Sequence, residues 1–204
     1  MNVQPFPVGI LGMGMAVPER VVTNHDMEKL VDTSDEWIVS RTGMKERRFV
    51  APGEATSDLA SRAGLEAIRD AGLTPADVDL IVVCTFTPDM NCPSTACLTQ
   101  LKIGARECPA YDLNAACSGF LYGMATAQGL IQSGVARNAL VIGSDVMSPF
   151  TDFQDRNTCV LFGDGAGAVM LGRVEEPRGI RSAVLGARGT GWDLIMLPAG
   201  GSAL

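Results

Sequence analysis

The sequence predicts an α/β protein in which a mixed, largely parallel sheet lies between layers of helices. Three observations indicate this fold. Short runs rich in β-branched residues, such as residues 79–86, are typical of strands that are covered on both faces. Amphipathic helical stretches alternate with these runs along most of the chain. The chain has 204 residues, 47% of them hydrophobic, and this is enough to bury a sizeable core.

The individual elements follow from the spacing of apolar residues and from the residues that flank them. Six apolar runs predict strands: residues 8–17, 79–86, 110–113, 139–144, 168–174 and 180–187. Five stretches with a three- and four-residue apolar repeat or helix-capping signals predict helices: residues 24–31, 35–41, 56–71, 93–103 and 117–133. Asn24 is the expected cap of the first helix. The turn-prone segment EEPRG separates the last two strands, so we expect a hairpin that closes the sheet.

Two glycine clusters, one at Gly9, Gly12 and Gly14 and one at residues 163–167, resemble nucleotide-binding motifs at first sight. A dinucleotide fingerprint requires a strand, then the glycine turn, then a helix. Pro18 and polar residues follow the first cluster, and a strand-like run follows the second. We therefore interpret both clusters as tight turns between strands.

The overall charge argues against a general nucleic-acid-binding protein. The formal net charge is −7 and the isoelectric point is near 4.7. One local cluster of basic residues comprises Arg41, Lys45, Arg47 and Arg48. Such a cluster is either a solvated face or a surface that meets phosphate groups.

The sequence predicts a soluble, cytoplasmic protein that does not enter the membrane. Its apolar runs are too short to span a bilayer, and its first ten residues lack the cationic start and long apolar core of a signal peptide. Six cysteines are spread through apolar or core-like runs, which favours a reduced setting over disulfides: Cys84, Cys92, Cys97, Cys108, Cys117 and Cys159. Their spacings, with His25 as the only histidine, do not fit the usual ligand patterns of structural zinc.

Residues 110–134 place Cys117 at a junction between a strand and a helix. Apolar residues recur after it at helical spacing and predict one buried face: Phe120, Leu121, Met124, Ala127, Leu130 and Ile131. Gly134 then ends the helix. A cysteine in the first turn meets unpaired N–H groups and the positive end of the helix dipole, which favour the nucleophilic thiolate. The alternative is a buried structural cysteine.

Trp37 and Arg41 stand four residues apart on one face of a predicted helix. The indole offers a flat surface for a planar group, and the guanidinium offers a fork for phosphate. The alternative is a tryptophan that packs on its own domain under the arginine stem.

Three segments together resemble the β-ketoacyl-acyl carrier protein synthase III family of thiolase-fold condensing enzymes: DLNAACSGFLYGM around Cys117, TSDEWIVSRTGMKERRF from Thr33, and LFGDGAGAV at residues 161–169. The resemblance implies a thiolase-like layered α/β fold of which this chain is the N-terminal half. Residues 1–175 would carry the nucleophile, and residues 176–204 would begin the connection to a C-terminal half.

The resemblance also assigns roles to residues. Cys117 would accept an acyl group from an acyl-CoA primer and condense it with malonyl-acyl carrier protein, without a metal or redox cofactor, in a homodimer. The residues matching the coenzyme A site are Thr33 beside the nucleotide, Trp37 under the adenine, Arg41 at the phosphates and Arg156 on the other adenine face. Cys92 matches a residue that lines the acyl pocket across the dimer. Because cysteine is small, we expect the pocket to accept primers that are longer or more branched than acetyl.

The family's histidine and asparagine, which stabilise the enolate formed on decarboxylation, belong to its second half and have no match here. His25 lies outside the matching motif, and we expect it at the surface. Two alternatives stay open. One is a related acyltransferase of specialised metabolism that uses an oxygen or nitrogen acceptor, and the other is a non-catalytic half that binds acyl-CoA.

Overall fold

A five-stranded sheet lies at the centre of the structure, a computed structural model that describes residues 6–197 and 200–202. The strands of the molecule are β1 (Val8–Ala16), β2 (Arg20–Thr23), β3 (Glu46–Phe49), β4 (Leu80–Cys84), β5 (Ala110–Leu113), β6 (Ala139–Asp145) and β7 (Gly165–Arg173). The helices are α1 (Asn24–Met27), α2 (Asp35–Thr42), α3 (Thr56–Asp70), α4 (Thr95–Ile103) and α5 (Gly119–Gln132). Strands β2 and β3 form a separate antiparallel pair.

The central sheet is mixed, as predicted, with the strand order β1-β7-β6-β4-β5. Strand β4 pairs in parallel with β5 and β6, whereas β7 is antiparallel to β6 and β1. Strand β4 is buried along its whole length because it has a neighbour on each side and helices on both faces. The carboxyl ends of β4, β5 and β6 open at one edge, where α/β sheets usually bind ligands.

Helices cover both faces of this sheet. On one face, Ala60, Ala63 and Ala67 of α3 pack with α4 against β4, β6 and β7. On the other face, Ala127 and Ile131 of α5 pack against β4 and β6. Small residues dominate the contact surface of α3, so this helix lies close to the strands.

The glycines of β1 are not tight turns, and this prediction was wrong. Gly9, Gly12 and Gly14 all lie within the strand. A Cβ atom on Gly12 would lie 2.3 Å from the backbone nitrogen of Ala71, and one on Gly14 would lie 2.3 Å from the carbonyl oxygen of Ala63. The glycines therefore allow close contact between β1 and α3. In the second cluster, likewise, residues 165–167 belong to β7.

The outer edge of β1 carries no neighbouring strand along its second half, within the described residues. Two of its backbone N–H groups are nevertheless bonded. The N–H of Met13 donates to a carboxylate oxygen of Asp70 at 2.8 Å, and the N–H of Met15 donates to a carboxylate oxygen of Glu66 at 2.7 Å. Helix α3 thus covers the strand and also supplies acceptors to its open edge.

A small unit built from β2, β3, α1 and α2 packs beside the central sheet. Neither of its two strands was predicted from the sequence. Its core contains Val22, Met27, Ile38 and Phe49, together with Cys159 from the segment between β6 and β7. The sequences of these two strands, RVVT and ERRF, mix charged and apolar residues without a regular alternation, so they do not stand out from a loop. His25 of α1 is exposed, as expected.

Residues 180–187 form no strand, so the predicted hairpin with β7 was wrong. Both edges of β7 are already occupied, by β1 and by β6. The N–H of Ile180 donates instead to the carbonyl of Val8 at 2.8 Å.

The first helix is also shorter than predicted and ends at Met27. Its cap is Thr23, not Asn24, because the side chains of Thr23 and Asp26 each bond to the other's backbone N–H.

The domain division at residue 175 stays a prediction. The prediction that the chain starts without a signal peptide depends partly on residues 1–5, which lie outside the described residues. Residues 198, 199, 203 and 204 of the predicted connection also lie outside them. Within the described ranges, no helix combines the length and apolar character needed to cross a membrane. The same ranges hold no group of three or more His, Cys, Asp or Glu residues that could bind a metal ion.

Candidate active site

Cys117 lies on a single 3₁₀ turn, Ala116–Ser118, between β5 and α5. Because β5 runs parallel to β4, this turn emerges at the shared carboxyl edge of β4, β5 and β6. Cys117 is exposed, which contradicts the alternative of a buried structural cysteine. The junction was predicted correctly, although the α-helix begins only at Gly119.

The turn that carries Cys117 contains a strained residue. Ala116 has φ = 44°, and it is the only described residue other than glycine with a positive φ. Such a conformation is unfavourable by about 1 kcal/mol or more for a residue with a Cβ atom. Three hydrogen bonds hold the turn. The Ala116 N–H donates to Asn114 Oδ1 at 3.3 Å, the Ser118 N–H donates to the Ala115 carbonyl at 3.1 Å, and the Gly119 N–H donates to the Ala116 carbonyl.

Helix α5 rests on the sheet through glycines. Its buried residues follow a four-residue repeat that includes two of them: Gly119, Gly123, Ala127 and Ile131. A Cβ atom on Gly123 would lie 2.4 Å from the sulfur of Cys84 in β4. The predicted face was wrong for Leu121, which is 60% exposed, because glycines rather than large side chains fill the contact.

Cys84 lies beneath α5 and differs from Cys117 in its surroundings. Burial raises the pKa of the Cys84 thiol to about 12, with a smaller opposing effect from a backbone hydrogen bond at Gly123. This side chain therefore remains a protonated thiol at neutral pH and has no nucleophilic role. All six cysteines of the chain lie in the described part and are free thiols.

Trp37, Arg41 and Arg156 come together on the small unit, and we call them the Trp37 cluster. The guanidinium carbons of Arg41 and Arg156 each lie 4.4 Å from the centroid of the Trp37 ring. The ring also packs partly against the core of the small unit. Two guanidinium groups packed on one indole ring combine positive charge with an aromatic surface, and this combination suits an anionic, planar ligand.

Arg156 reaches Trp37 because its segment is anchored in the same small core, through Cys159 and Val160. Its Nη1 lies 3.6 Å from a carboxylate oxygen of Asp32. Its Nε and the hydroxyl of Thr33 are buried, and neither has a hydrogen-bond partner among the described residues. Buried polar atoms normally have a partner, so both groups are suited to bind a polar ligand.

The basic residues that cluster in the sequence have different roles in the structure. Arg47 is buried, and its guanidinium donates to the carbonyls of Val22 and Val160 at 3.3 Å and 3.2 Å. Arg48 donates to the carbonyl of Pro18 at 3.3 Å. These two arginines hold the small unit together and do not form a phosphate-binding surface. Arg41 is the member that joins the Trp37 cluster.

Comparisons with known proteins found sequences and structures that are similar to this chain. The family model described as "3-Oxoacyl-[acyl-carrier-protein (ACP)] synthase III" matches residues 111–189, which include Cys117 and Arg156. The chain is 55% identical, over 98% of its length, to the β-ketoacyl-[acyl-carrier-protein] synthase III of Caldanaerobacter subterraneus. It superposes with a TM-score of 0.90 on the crystal structure of 3-oxoacyl-(acyl carrier protein) synthase III from Pseudomonas aeruginosa, at 40% identity over 97% of this chain.

The chain belongs to the β-ketoacyl-[acyl-carrier-protein] synthase III family. It spans about 60% of the length of these two relatives. The predicted thiolase-like layered α/β fold is confirmed by the structural match. A more distant match, at 34% identity and a TM-score of 0.83, is the priming β-ketosynthase from the R1128 polyketide biosynthetic pathway, with 87% of this chain and 53% of that chain covered.

Cys92, the residue matched to the family's acyl pocket, lies on the loop between β4 and α4. It is exposed and therefore available to a neighbouring molecule. The loop begins at the same carboxyl edge from which the Cys117 turn emerges. Its role in the pocket stays a prediction.

Two carboxylates that position the carboxyl edge were missed by the sequence analysis. Asp145, the last residue of β6, accepts hydrogen bonds at one oxygen from the Thr85 hydroxyl at 2.9 Å, the Phe86 N–H at 3.1 Å and the Thr87 hydroxyl at 3.0 Å. Asp112 of β5 accepts the N–H groups at the start of α4. A carboxylate at or near the end of a buried strand was the available signal, because a charge there needs partners.

An open apolar groove of about 360 Å³ lies beside the start of α5. Its lining combines side chains and backbone from the central sheet with one aromatic ring: Met13, Gly14, Phe120, Gly143, Gly167, Ala168 and Val169. Met13, Met15 and Leu121 also expose apolar side chains on this chain.

Proposed function

We propose that this chain is the primer-loading part of a β-ketoacyl-acyl carrier protein synthase III, a transferase that initiates fatty acid synthesis. The observation that carries the proposal is the exposed Cys117 on its strained turn at the start of α5, in a chain 55% identical to a synthase of that name. The positive end of the α5 dipole favours negative charge at this position.

In the first half-reaction, the Cys117 thiolate attacks the carbonyl carbon of an acyl-CoA. The bond from that carbon to the cysteine sulfur forms, and the bond to the coenzyme A sulfur breaks. Coenzyme A leaves as a thiolate that takes up a proton. The Trp37 cluster supports this step by holding the nucleotide end, with Trp37 under the adenine, Arg41 at the phosphates and Thr33 beside the nucleotide. Arg156 covers the other face of the adenine in this proposal, so its guanidinium must move off the Trp37 ring, on which it now packs at 4.4 Å, to admit the base.

In the second half-reaction, malonyl-acyl carrier protein loses carbon dioxide, and the resulting enolate carbon attacks the acyl group on Cys117. The enolate oxygen needs preorganised hydrogen-bond donors. His25 does not fit this role, because it is exposed on α1 and interacts with Glu28. The proposal therefore assigns these donors to the part of the fold that the longer relatives have and this chain does not span.

The proposed enzyme is a cytoplasmic homodimer that uses no metal or redox cofactor and binds neither nucleic acid nor membrane. Two features support association of two copies. Strand β5 is the last strand of the described sheet and has one free edge, and Cys92 is exposed on the neighbouring loop. A small Cys92 favours primers that are longer or more branched than acetyl. In a competition between primers, strict preference for acetyl-CoA contradicts this assignment.

The test is product formation by the natural full-length protein. With acyl-CoA and malonyl-acyl carrier protein, we expect carbon dioxide and a β-ketoacyl carrier thioester in equal amounts. The alternative is an acyltransferase of specialised metabolism, and one solved structure that this chain resembles comes from a polyketide biosynthetic pathway. Acyl transfer to alcohol or amine acceptors without loss of carbon dioxide would support this alternative and overturn the first proposal.

The intact mass of the protein from its source separates both enzymes from a non-catalytic half that binds acyl-CoA. A mass well above the 21.5 kDa of this sequence supports the condensing enzyme. A mass of 21.5 kDa supports binding without turnover.

A further inference from the structure

Asn24 ties together the two ends of the helix that carries Trp37 and Arg41. It is 1% exposed, and its side-chain nitrogen donates two hydrogen bonds of 2.8 Å each. One goes to the carboxylate of Asp35, the first residue of α2. The other goes to the carbonyl of Met44, just beyond the last residue of α2. One amide group thus fixes both the start and the end of a two-turn helix.

Asn24 is itself held in place. Its backbone N–H donates to the carbonyl of Lys45 at 3.1 Å, and its carbonyl accepts the N–H of Glu28 at 3.0 Å. The carboxylate of Glu28 then accepts the backbone N–H of Asp35 at 2.8 Å. Helix α1 is therefore joined to the first residue of α2 by two separate hydrogen bonds, one of them through Asn24.

The Asn24 side chain is not explained by packing alone. Its oxygen is buried and has no partner among the described residues, which is unfavourable for stability. The amide cannot be turned round, because both of its partners are acceptors and must face the nitrogen. An apolar residue of similar size would fill the space without an unpaired acceptor. Only an amide can donate both hydrogen bonds, to Asp35 and to Met44, from this position.

We propose that Asn24 is a positioning residue that holds α2 so that Trp37 and Arg41 stand in a fixed relation to Arg156. The second arginine of the cluster, Arg156, comes from a different segment, so the geometry of the cluster depends on where α2 lies. Asn24 touches no substrate. This inference rests on the proposed function, because it assigns the nucleotide end of the acyl-CoA to the Trp37 cluster.

The experiment compares two thioester substrates in the natural full-length protein: acyl-CoA, and the same acyl group on pantetheine, which lacks the nucleotide. The first variant is Asp35→Ala, which removes one acceptor of Asn24 from a partly exposed position. Glu36→Ala is the matched control, because Glu36 is also acidic, also in the first turn of α2, and has no side-chain hydrogen bond within the described ranges. Loss of one partly buried hydrogen bond to a carboxylate predicts an increase in the KM for acyl-CoA of about fivefold to tenfold for Asp35→Ala. We expect no such increase for Glu36→Ala, and no change with acyl-pantetheine for either.

A second pair of variants tests Asn24 directly. Asn24→Asp places two carboxylates against each other, and we expect a larger increase in the KM for acyl-CoA than with Asp35→Ala. The double variant Asn24→Asp/Asp35→Asn restores a donor and an acceptor across the same contact. We expect it to recover part of the loss, which a general destabilisation of the fold would not do.

The outcomes separate this inference from the proposed function. If Trp37→Ala leaves the KM for acyl-CoA unchanged, the nucleotide assignment itself fails. If Trp37→Ala raises the KM while Asp35→Ala behaves like Glu36→Ala, the role of Asn24 is wrong. Equal losses with acyl-CoA and acyl-pantetheine also overturn it, because they indicate a purely structural residue.

Discussion

The small unit with the Trp37 cluster and the turn with Cys117 differ in how many of their contacts lie within this chain. In the small unit, Asn24 and Arg47 bond to backbone and side-chain groups of the chain itself, and Arg156 is brought in from a later segment. Around the turn, Cys117 is exposed and an apolar groove lies open. The contacts that we propose for the nucleotide end of the primer are therefore contained in this chain, whereas the proposed reaction centre at Cys117 needs the donors that we assign to a further part of the fold.

The largest expected effect is at the reaction centre. Cys117→Ala removes the only nucleophile that we place there, so acyl loading falls by about a thousandfold or more. Intact mass spectrometry after incubation with acyl-CoA measures the loading. Cys97→Ser is the control, because Cys97 is also exposed but lies on α4. An acyl adduct that persists in Cys117→Ala and disappears in Cys97→Ser would reverse the assignment.

The next effect concerns the small unit alone. Trp37→Ala removes the aromatic surface between the two arginines, and we expect binding of coenzyme A to weaken by about tenfold to fiftyfold. Acyl loading from acyl-pantetheine should stay unchanged. Trp192, the other tryptophan, is exposed and distant in sequence, so Trp192→Ala is the control. Calorimetric titration measures the binding of coenzyme A to both variants. Equal weakening in the two variants would contradict a specific site at Trp37.

A smaller effect is expected for a variant of α5 that disturbs the Cys117 turn and leaves the Trp37 cluster intact. Gly123→Ala brings a methyl group against the sulfur of Cys84, so α5 must move away from β4 and shift the Cys117 turn. We expect acyl loading to slow by about fivefold, with a stability loss of about 1–3 kcal/mol. Binding of coenzyme A should be preserved. Gly129 of the same helix faces open space, and Gly129→Ala should instead stabilise by about 0.5–1 kcal/mol. Loss of coenzyme A binding in Gly123→Ala would mean that the regions are coupled.

The smallest effect distinguishes the enclosed Cys84 from the exposed Cys117. Burial raises the pKa of Cys84 to about 12, so the folded state favours its thiol form. The stabilisation is complete below the ordinary thiol pKa of about 8.5 and is lost as the pH rises towards 12. In urea titrations, the free energy of unfolding should fall above about pH 9, by at most about 1.4 kcal/mol per pH unit from this group. Cys84→Ala should show a shallower fall, and an identical pH dependence would refute the assignment.

Much of the candidate site could be predicted from the sequence, because its signals are local. The junction at Cys117 follows from an apolar run and a helical repeat, and the pairing of Trp37 with Arg41 follows from their four-residue spacing. Arg156 came only from the resemblance to the family. Its approach to Trp37 depends on a small core built from distant segments, which no local pattern reports.

The errors have a common physical cause. The turn prediction for Gly12 and Gly14 is wrong because the sequence does not tell which helix will cover a strand. The close contact with α3 is a property of the folded chain. Arg47 was grouped with surface charges although its partners are backbone carbonyls far along the chain. The prediction of a strand at residues 180–187 was wrong because β7 already has a neighbouring strand on each side. The order of strands in the sheet decides this, and the strand propensity of the segment does not.

The acceptors that α3 supplies to β1 also protect the molecule from unwanted self-assembly. An uncovered strand edge offers unpaired N–H groups on which another polypeptide can add and begin a fibril. Here the carboxylates of Asp70 and Glu66 already occupy the N–H groups of Met13 and Met15, and they bring negative charge to the approach. This stretch is flanked by glycines that have no side chains to shield it. An incoming strand would have to displace two charged hydrogen bonds before it gained its own.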